Sequence, residues 1–226
     1  MEKLSLLEKK LEVKFKNKNF LKQALIHRSY LNEHPNFNLG HNERLEFLGD
    51  AVLELIITKF LYNNFSNPEG ELTSFRSSLV NTKSLAKIAK KLKINQYLYL
   101  SKGEEKSNGR FRDAILANTF EALIGAIYLD QGFTQTEKFI HQYLVPQLET
   151  VLKNKSYKDP KSKFQEITQG KLKITPTYKI ISESGPDHAK KFKVGVFLKE
   201  KMIAFGMGKS KHEAELRAAK KALDKN

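Results

Sequence analysis

The chain has 226 residues, room for one large or two modest domains, and 40% of them are hydrophobic, so a sizeable core is possible. Forty Lys and Arg against 25 Asp and Glu leave a formal net charge of +15, which favours a polyanionic partner such as nucleic acid or an anionic membrane surface and says nothing about fold. There is no cysteine, which excludes disulfides and thiolate metal sites and fits a reducing compartment.

The opening segment "MEKLSLLEKKLEVKF" is charged throughout and lacks the apolar centre of a signal peptide. No stretch approaches the roughly 18 uncharged apolar residues of a membrane span. A soluble, cytoplasmic protein is expected. Apolar residues recur at helical spacing over 4–15, 19–31, 43–65, 71–93, 113–130 and 134–152, which predicts an all-α region. Turn chemistry separates these helices at "NEHPNFNLG", "SNPEG", "KGEEKSNG" and "DQGF". Beyond residue 152 the character changes. "KNKSYKDPKSK" is polar and basic, and Pro160 reads as a helix breaker, so a linker is expected. A short helix over 161–169 follows, then strands over 174–182, 190–199 and 201–206, then a helix over 210–224. The second strand alternates Phe192, Val194, Val196 and Leu198 on one face. From Tyr157 onward 17 Lys and Arg stand against 8 Asp and Glu, so this small α-β-β-β-α unit holds +9 of the +15.

The stretch "NERLEFLGDAVLELI" poses the chemical question. On a helix, Glu43, Glu46, Asp50 and Glu54 fall within a wedge of about 80°, while apolar residues fill the rest of the circumference. A helix apolar around most of its girth is expected to be buried, and buried carboxylates need cations or must take up protons. Yet no Lys or Arg lies between Leu45 and Thr58. A second segment, Asp113 to Glu137, also lacks basic residues. It carries Asn118 and Glu121 one turn apart, with Ala114 and Gly125 small enough on that face to admit another backbone. Two such helices could close on a shared cation. A solvated acidic face, or a structural network using Arg28, Arg44 or Arg112, would be the plainer accounts. With oxygen ligands only, the fitting metals are Mg²⁺ and Mn²⁺. A carboxylate-held Mg²⁺ in a basic protein suggests phosphodiester hydrolysis.

The motifs "HNERLEFLGDAVL" (41–53), "NPEGELTSFRSSLVN" (67–81) and "LANTFEALIGAIYLD" (116–130) resemble, in order, the signature, intervening and second catalytic segments of the ribonuclease III family. The C-terminal unit resembles a double-stranded-RNA-binding domain. The resemblance implies an all-α endonuclease domain over 1–151, a linker over 152–158 and an α+β RNA-binding domain over 159–226. It further implies a homodimer that cuts double-stranded RNA with Mg²⁺ (Mn²⁺ able to substitute), without a small-molecule cofactor or a membrane. The products would carry 5′-phosphates, 3′-hydroxyls and short 3′ overhangs. The substrates would be ribosomal RNA precursors and structured messenger transcripts.

Matched residue by residue, Glu46 and Glu121 would be metal ligands, and Asp50 and Glu121 catalytic, with Asp50 holding or activating the water network. Glu43 and Glu69 would organise the cleavage site and the dimer. Phe47 would be an aromatic knob entering the partner subunit, its plain alternative being ordinary core. Asn118 stands where the family usually has Asp, so the four-ligand set carries one negative charge fewer and should bind metal more weakly. In the C-terminal unit, Gln165, Glu166, His188, Lys209, Lys211 and His212 would contact the RNA, the last three around a helix N-terminus suited to phosphate. A non-catalytic duplex binder and a general basic nucleic-acid binder remain the rival readings.

Overall fold

The computed structural model describes residues 2–153, 160–186 and 190–225. The chain divides into two compact units, Met1–Tyr157 and Lys158–Asn226. The first is helical: α1 Glu2–Leu11, α2 Lys18–Ala24, α3 Arg28–Glu33, α4 Glu43–Asn64, α5 Glu69–Leu79, α6 Thr82–Lys91, α7 Lys102–Lys106 and α8 Asp113–Lys153, with short 3₁₀ turns at Ile94–Gln96 and Gly109–Phe111.

Several expected helices are cut by local chemistry. The first ends at Leu11 because Glu12 adopts a left-handed backbone with φ 55°. The run 19–31 splits where Ile26 bridges Tyr99 and His27 caps α3 by accepting from the Ser29 N–H. The run 71–93 splits where the Asn81 side chain caps α6 by accepting from the Ser84 N–H. The turn-like "KGEEKSNG" contains α7, capped by Ser101. The break expected at "DQGF" is a kink within α8 at Gly132, whose φ of 77° suits glycine.

The core of this unit is built on α4 and α8. Leu45, Leu53, Ile56, Ile57 and Leu61 of α4 are buried with Leu116, Phe120, Leu123, Ile124 and Ile127 of α8. Asn42 fixes the start of α4 without capping it: its buried side chain donates to the Ala24 carbonyl at 3.3 Å, and its backbone N–H to the Ile26 carbonyl at 2.9 Å. The expectation that α4 is buried around most of its girth needs correction. Phe47 is 81% exposed, Leu55 58% and Tyr62 78%, and Ala51 and Thr58 are exposed with them. These five fall within about 80° of helix surface, so one apolar stripe of α4 has no cover among the described residues.

The second unit runs α9 Pro160–Leu172, β1 Thr177–Ser184, β2 Lys191–Leu198, β3 Lys201–Gly208 and α10 Lys211–Leu223. Pro160 opens α9, where its missing N–H costs nothing. The sheet is antiparallel in the order β1-β2-β3. Val196 and Ala204 pack on Phe164 of α9 and on Ala218, Ala219 and Ala222 of α10. Gly206 lets α10 settle on β3, since a Cβ there would lie 2.2 Å from the Ala214 carbonyl. Of the expected linker, Leu152 and Lys153 continue α8, and 154–158 lie outside the described residues. Among the described residues no helix is long and apolar enough to cross a membrane.

Candidate active site

The acids stand where α4 crosses α8 in backbone contact. A Cβ built on Gly49 would lie 1.8 Å from the Glu121 carbonyl oxygen, and one built on Gly125 would lie 2.2 Å from the Leu45 carbonyl oxygen. Each glycine thus takes the other helix's backbone against itself. The small-residue face read from the sequence includes Gly125, and its counterpart on α4 is Gly49, which that reading overlooked. Glu46 and Asp50 flank Gly49, so the crossing carries both toward Glu121.

The result is an electrostatic cluster. Burial raises the Glu121 carboxyl to about 7, with the charges of Asp50 and Glu46 adding to the effect. Glu46 is raised as well, by burial first and then by Glu43 and Asp50, against a side-chain hydrogen bond from Asn118 that favours its charged form. Glu46 and Glu121 are half-buried, whereas Asp50 and Asn118 are exposed at the rim. Glu46, Asp50, Asn118 and Glu121 are therefore brought together.

The cations that could neutralise the cluster are engaged elsewhere. Arg28 pairs with Glu43 at 3.3 Å, Arg112 with Glu104 at 2.8 Å and Lys59 with Glu137 at 2.9 Å, while Arg44 lines a groove beside Phe47. Among the described residues, no Lys, Arg or His forms an ion pair with Glu46, Asp50 or Glu121. Nor do three or more carboxylates or imidazoles close around one point as a ready-made metal cage. The donor set nonetheless suits a hard divalent cation: three carboxylates and an amide carbonyl, all oxygen, with two of the acids raised by burial first and by neighbouring carboxylates second.

The remaining sequence-predicted residues lie apart from this cluster or at its edge. Glu43 sits one turn before Glu46, held by Arg28 and 3.8 Å from His41. Glu69 is exposed at the start of α5 and lines a groove of about 440 Å³ with Thr58, Leu61, Tyr62, Leu72, Thr73 and Arg76. It is not among the charges acting on Glu46 or Glu121. Arg76, which donates to the Thr58 hydroxyl at 2.8 Å in that groove, carried no signal in the sequence beyond its charge. Phe47 projects into solvent with Leu129 beside a second groove of about 650 Å³, so it is not core of its own chain.

In the second unit Gln165 and Glu166 are exposed on α9, and Lys209, Lys211 and His212 are exposed at the start of α10. Ser210 accepts from the Glu213 N–H, and the Glu213 carboxylate accepts from the Lys209 N–H at 2.7 Å, a reciprocal cap that orders this turn. Lys211 reaches Glu183 of β1 at 3.6 Å. His188 lies outside the described residues.

Residues 17–148 match the family model described as ribonuclease-III-like, and residues 160–226 match the double-stranded RNA binding motif. The chain is 48% identical over 221 residues to Ribonuclease 3 of Dehalococcoides mccartyi strain 195, covering 97% of this chain and 93% of that protein. It is 48% identical over 223 residues to Ribonuclease 3 of Streptococcus thermophilus, covering 96% and 97%. The crystal structure of the nuclease domain of ribonuclease III from Campylobacter jejuni superimposes with a TM-score of 0.59 at 38% identity, covering 65% of this chain and 97% of that one. A second structure of that domain, described as showing flexibility in the region involved in dimer formation, gives 0.56 at 40% identity and covers 62% and 96%.

Proposed function

The chain belongs to the ribonuclease III family, as an endoribonuclease with a helical nuclease unit and a double-stranded-RNA-binding unit, and from that premise we propose how its residues carry out the cut. The reading is Mg²⁺-dependent hydrolysis of double-stranded RNA, leaving 5′-phosphates, 3′-hydroxyls and short 3′ overhangs. Cytoplasmic ribosomal RNA precursors and structured messenger transcripts are the intended substrates. The observation that carries it is the set of carboxylates gathered without a cation at the Gly49–Gly125 crossing, two of them raised by burial and mutual repulsion.

Glu46 and Glu121 would hold the metal, with the Asn118 carbonyl and Asp50 completing the oxygen set. Bound Mg²⁺ would supply a more acidic water and offset charge on the leaving oxygen. Glu121, which burial and then the charges of Asp50 and Glu46 raise to about 7, would hold the cation as its carboxylate. Asp50, exposed at the rim, orients water in the cleft. Asn118 gives Glu46 a hydrogen bond where an aspartate would repel it, and the oxygen set would attract the cation with one charge fewer.

The uncovered stripe of Phe47, Ala51, Leu55, Thr58 and Tyr62 would pack against a second copy. Phe47 would enter a groove on the partner, and Glu69 would serve the composite cleft. Domain limits at 1–151, 152–158 and 159–226 are part of this proposal. Gln165 and Glu166 would meet 2′-hydroxyls, as would His188, while Lys209, Lys211 and His212 would meet phosphate.

Incubation of long duplex RNA and duplex DNA with the protein, in Mg²⁺ or in chelator, tests the reading. Cleavage of RNA alone and only with Mg²⁺ is expected. Binding without cleavage in Mg²⁺ would indicate a non-catalytic duplex binder. Equal affinity for both duplexes would indicate a general basic binder.

A further inference from the structure

The face of the sheet turned away from α9 and α10 has no role in the function above. Cross-strand pairing places Lys179, Gly195 and Phe205 in one row, Lys193 and Met207 in the next, and Phe197 and Met202 in a third, all on that outer side. Gly195 makes the row possible. A Cβ there would meet Phe197 at 2.8 Å, Ile181 at 3.0 Å and Met202 at 3.2 Å, so these three side chains close over the glycine. Ile181, Met202, Phe205 and Met207 are between 37% and 49% exposed.

Charge on this face has one sign. Lys179 stands over the Phe197 ring at 5.5 Å and Lys193 over the Phe205 ring at 4.5 Å, and Lys221 of α10 also comes within 5.0 Å of the Phe205 ring. The one acid in the three strands, Glu183, lies on the helix side and pairs with Lys211. An apolar patch with aromatic rings, each attended by an ammonium group, and with no carboxylate from the described strand residues, suits a ligand that alternates flat apolar faces with negative charge. A second copy would set lysine against lysine.

We propose that this outer sheet face is a second RNA surface, which takes single-stranded RNA by stacking bases on Phe205 and Phe197 while Lys179 and Lys193 hold the adjoining phosphates. Each lysine already sits beside its ring, so a base can cover the ring as the ammonium turns to the neighbouring phosphate. The described residues assigned to duplex RNA lie on α9 and at the start of α10, on the other side of the sheet, so a duplex and its single-stranded flank can be held together. The inference borrows from the proposed function only that RNA is the ligand of this unit, and its test reads a different face.

Two of the chain's three methionines, Met202 and Met207, lie on the patch, and Met1 belongs to the other unit. Full-length protein labelled with carbon-13 at the methionine methyls is titrated, in chelator, with an oligoadenylate of roughly eight nucleotides, a usual site size for a small single-strand-binding module. This is repeated with the duplex surface saturated by a duplex of about 20 base pairs. Movement of the Met202 and Met207 methyl signals but not Met1, persisting under saturating duplex, is the expected result. Phe205→Thr should weaken oligoadenylate binding about tenfold and leave the duplex Kd within about twofold, in the range set by loss of one stacked base. The proposal is overturned if the two signals stay still, if duplex competes their shift away, or if polyglutamate of equal charge moves them as far, which would mark the face as a site for acidic polypeptide. Loss of duplex binding in the wild type would instead count against the proposed function and leave this readout intact.

Discussion

Gly49 and Glu121 meet with no room for a methyl group between them: a Cβ on the glycine would stand 1.8 Å from the Glu121 carbonyl oxygen. That contact sets the spacing of the acids, because Glu46 and Asp50 flank the glycine on one helix and Glu121 is the touching residue on the other. The atom in the way is backbone, which cannot swing aside as a side chain can.

Gly49→Ala must therefore push α4 and α8 apart. Overpacking of this kind costs about 3 kcal/mol or more, a fall in Tm of roughly 6–12 °C for a unit of this size. Thermal unfolding should show that fall, and cleavage should drop with it as the acids separate. A variant with unchanged Tm and rate would mean the crossing does not set the site.

Glu121 also makes stability depend on pH. Its carboxyl stands at about 7 in the folded chain against an ordinary 4.5, so between these values the folded state keeps a proton the unfolded state has lost. The stabilisation from that proton is fully present below about pH 4.5 and is lost as pH rises through 7. Glu46, raised for similar reasons, acts in the same direction. In chelator, the Tm of the wild type should fall relative to Glu121→Gln as pH rises from about 4.5 to 7. Parallel curves across that window would show that Glu121 titrates normally.

Much of this was legible in the sequence. The acids at helical spacing, the lack of Lys and Arg around them and Gly125 on the facing helix all pointed to α4 and α8 meeting around carboxylates. The α-β-β-β-α order was readable because alternation in β2 and the turn residues around it are local signals. Gly49 was missed because its contact is with a backbone more than 70 residues away, and nothing beside it in sequence marks such an approach. The burial of α4 was overestimated for a related reason. Hydrophobicity alone does not distinguish a face packed within one chain from a face such as Phe47, Leu55 and Tyr62 that the chain leaves uncovered.

That uncovered face gives the next expectation. Phe47→Asp should leave the monomer folded, since the side chain is already 81% exposed. It should shift the protein from dimer to monomer in light scattering coupled to size exclusion. A dimer that persists at low micromolar concentration would place the interface elsewhere.

The proposed place of Asn118 in the ligand set gives a further expectation. Asn118→Asp adds a charged ligand oxygen and removes the hydrogen bond to Glu46, so the acids should repel more without metal and bind Mg²⁺ more tightly with it. The Mg²⁺ concentration for half-maximal cleavage should fall several-fold. An unchanged or higher requirement would show that position 118 does not face the cation.

Glu121→Ala, assayed side by side for duplex RNA binding in chelator and cleavage in saturating Mg²⁺, goes to the centre of the account. Binding within about twofold of wild type, as expected for a separate RNA-binding unit, with cleavage abolished is the outcome the α4–α8 acid cluster requires. Cleavage at a rate comparable to wild type would contradict it.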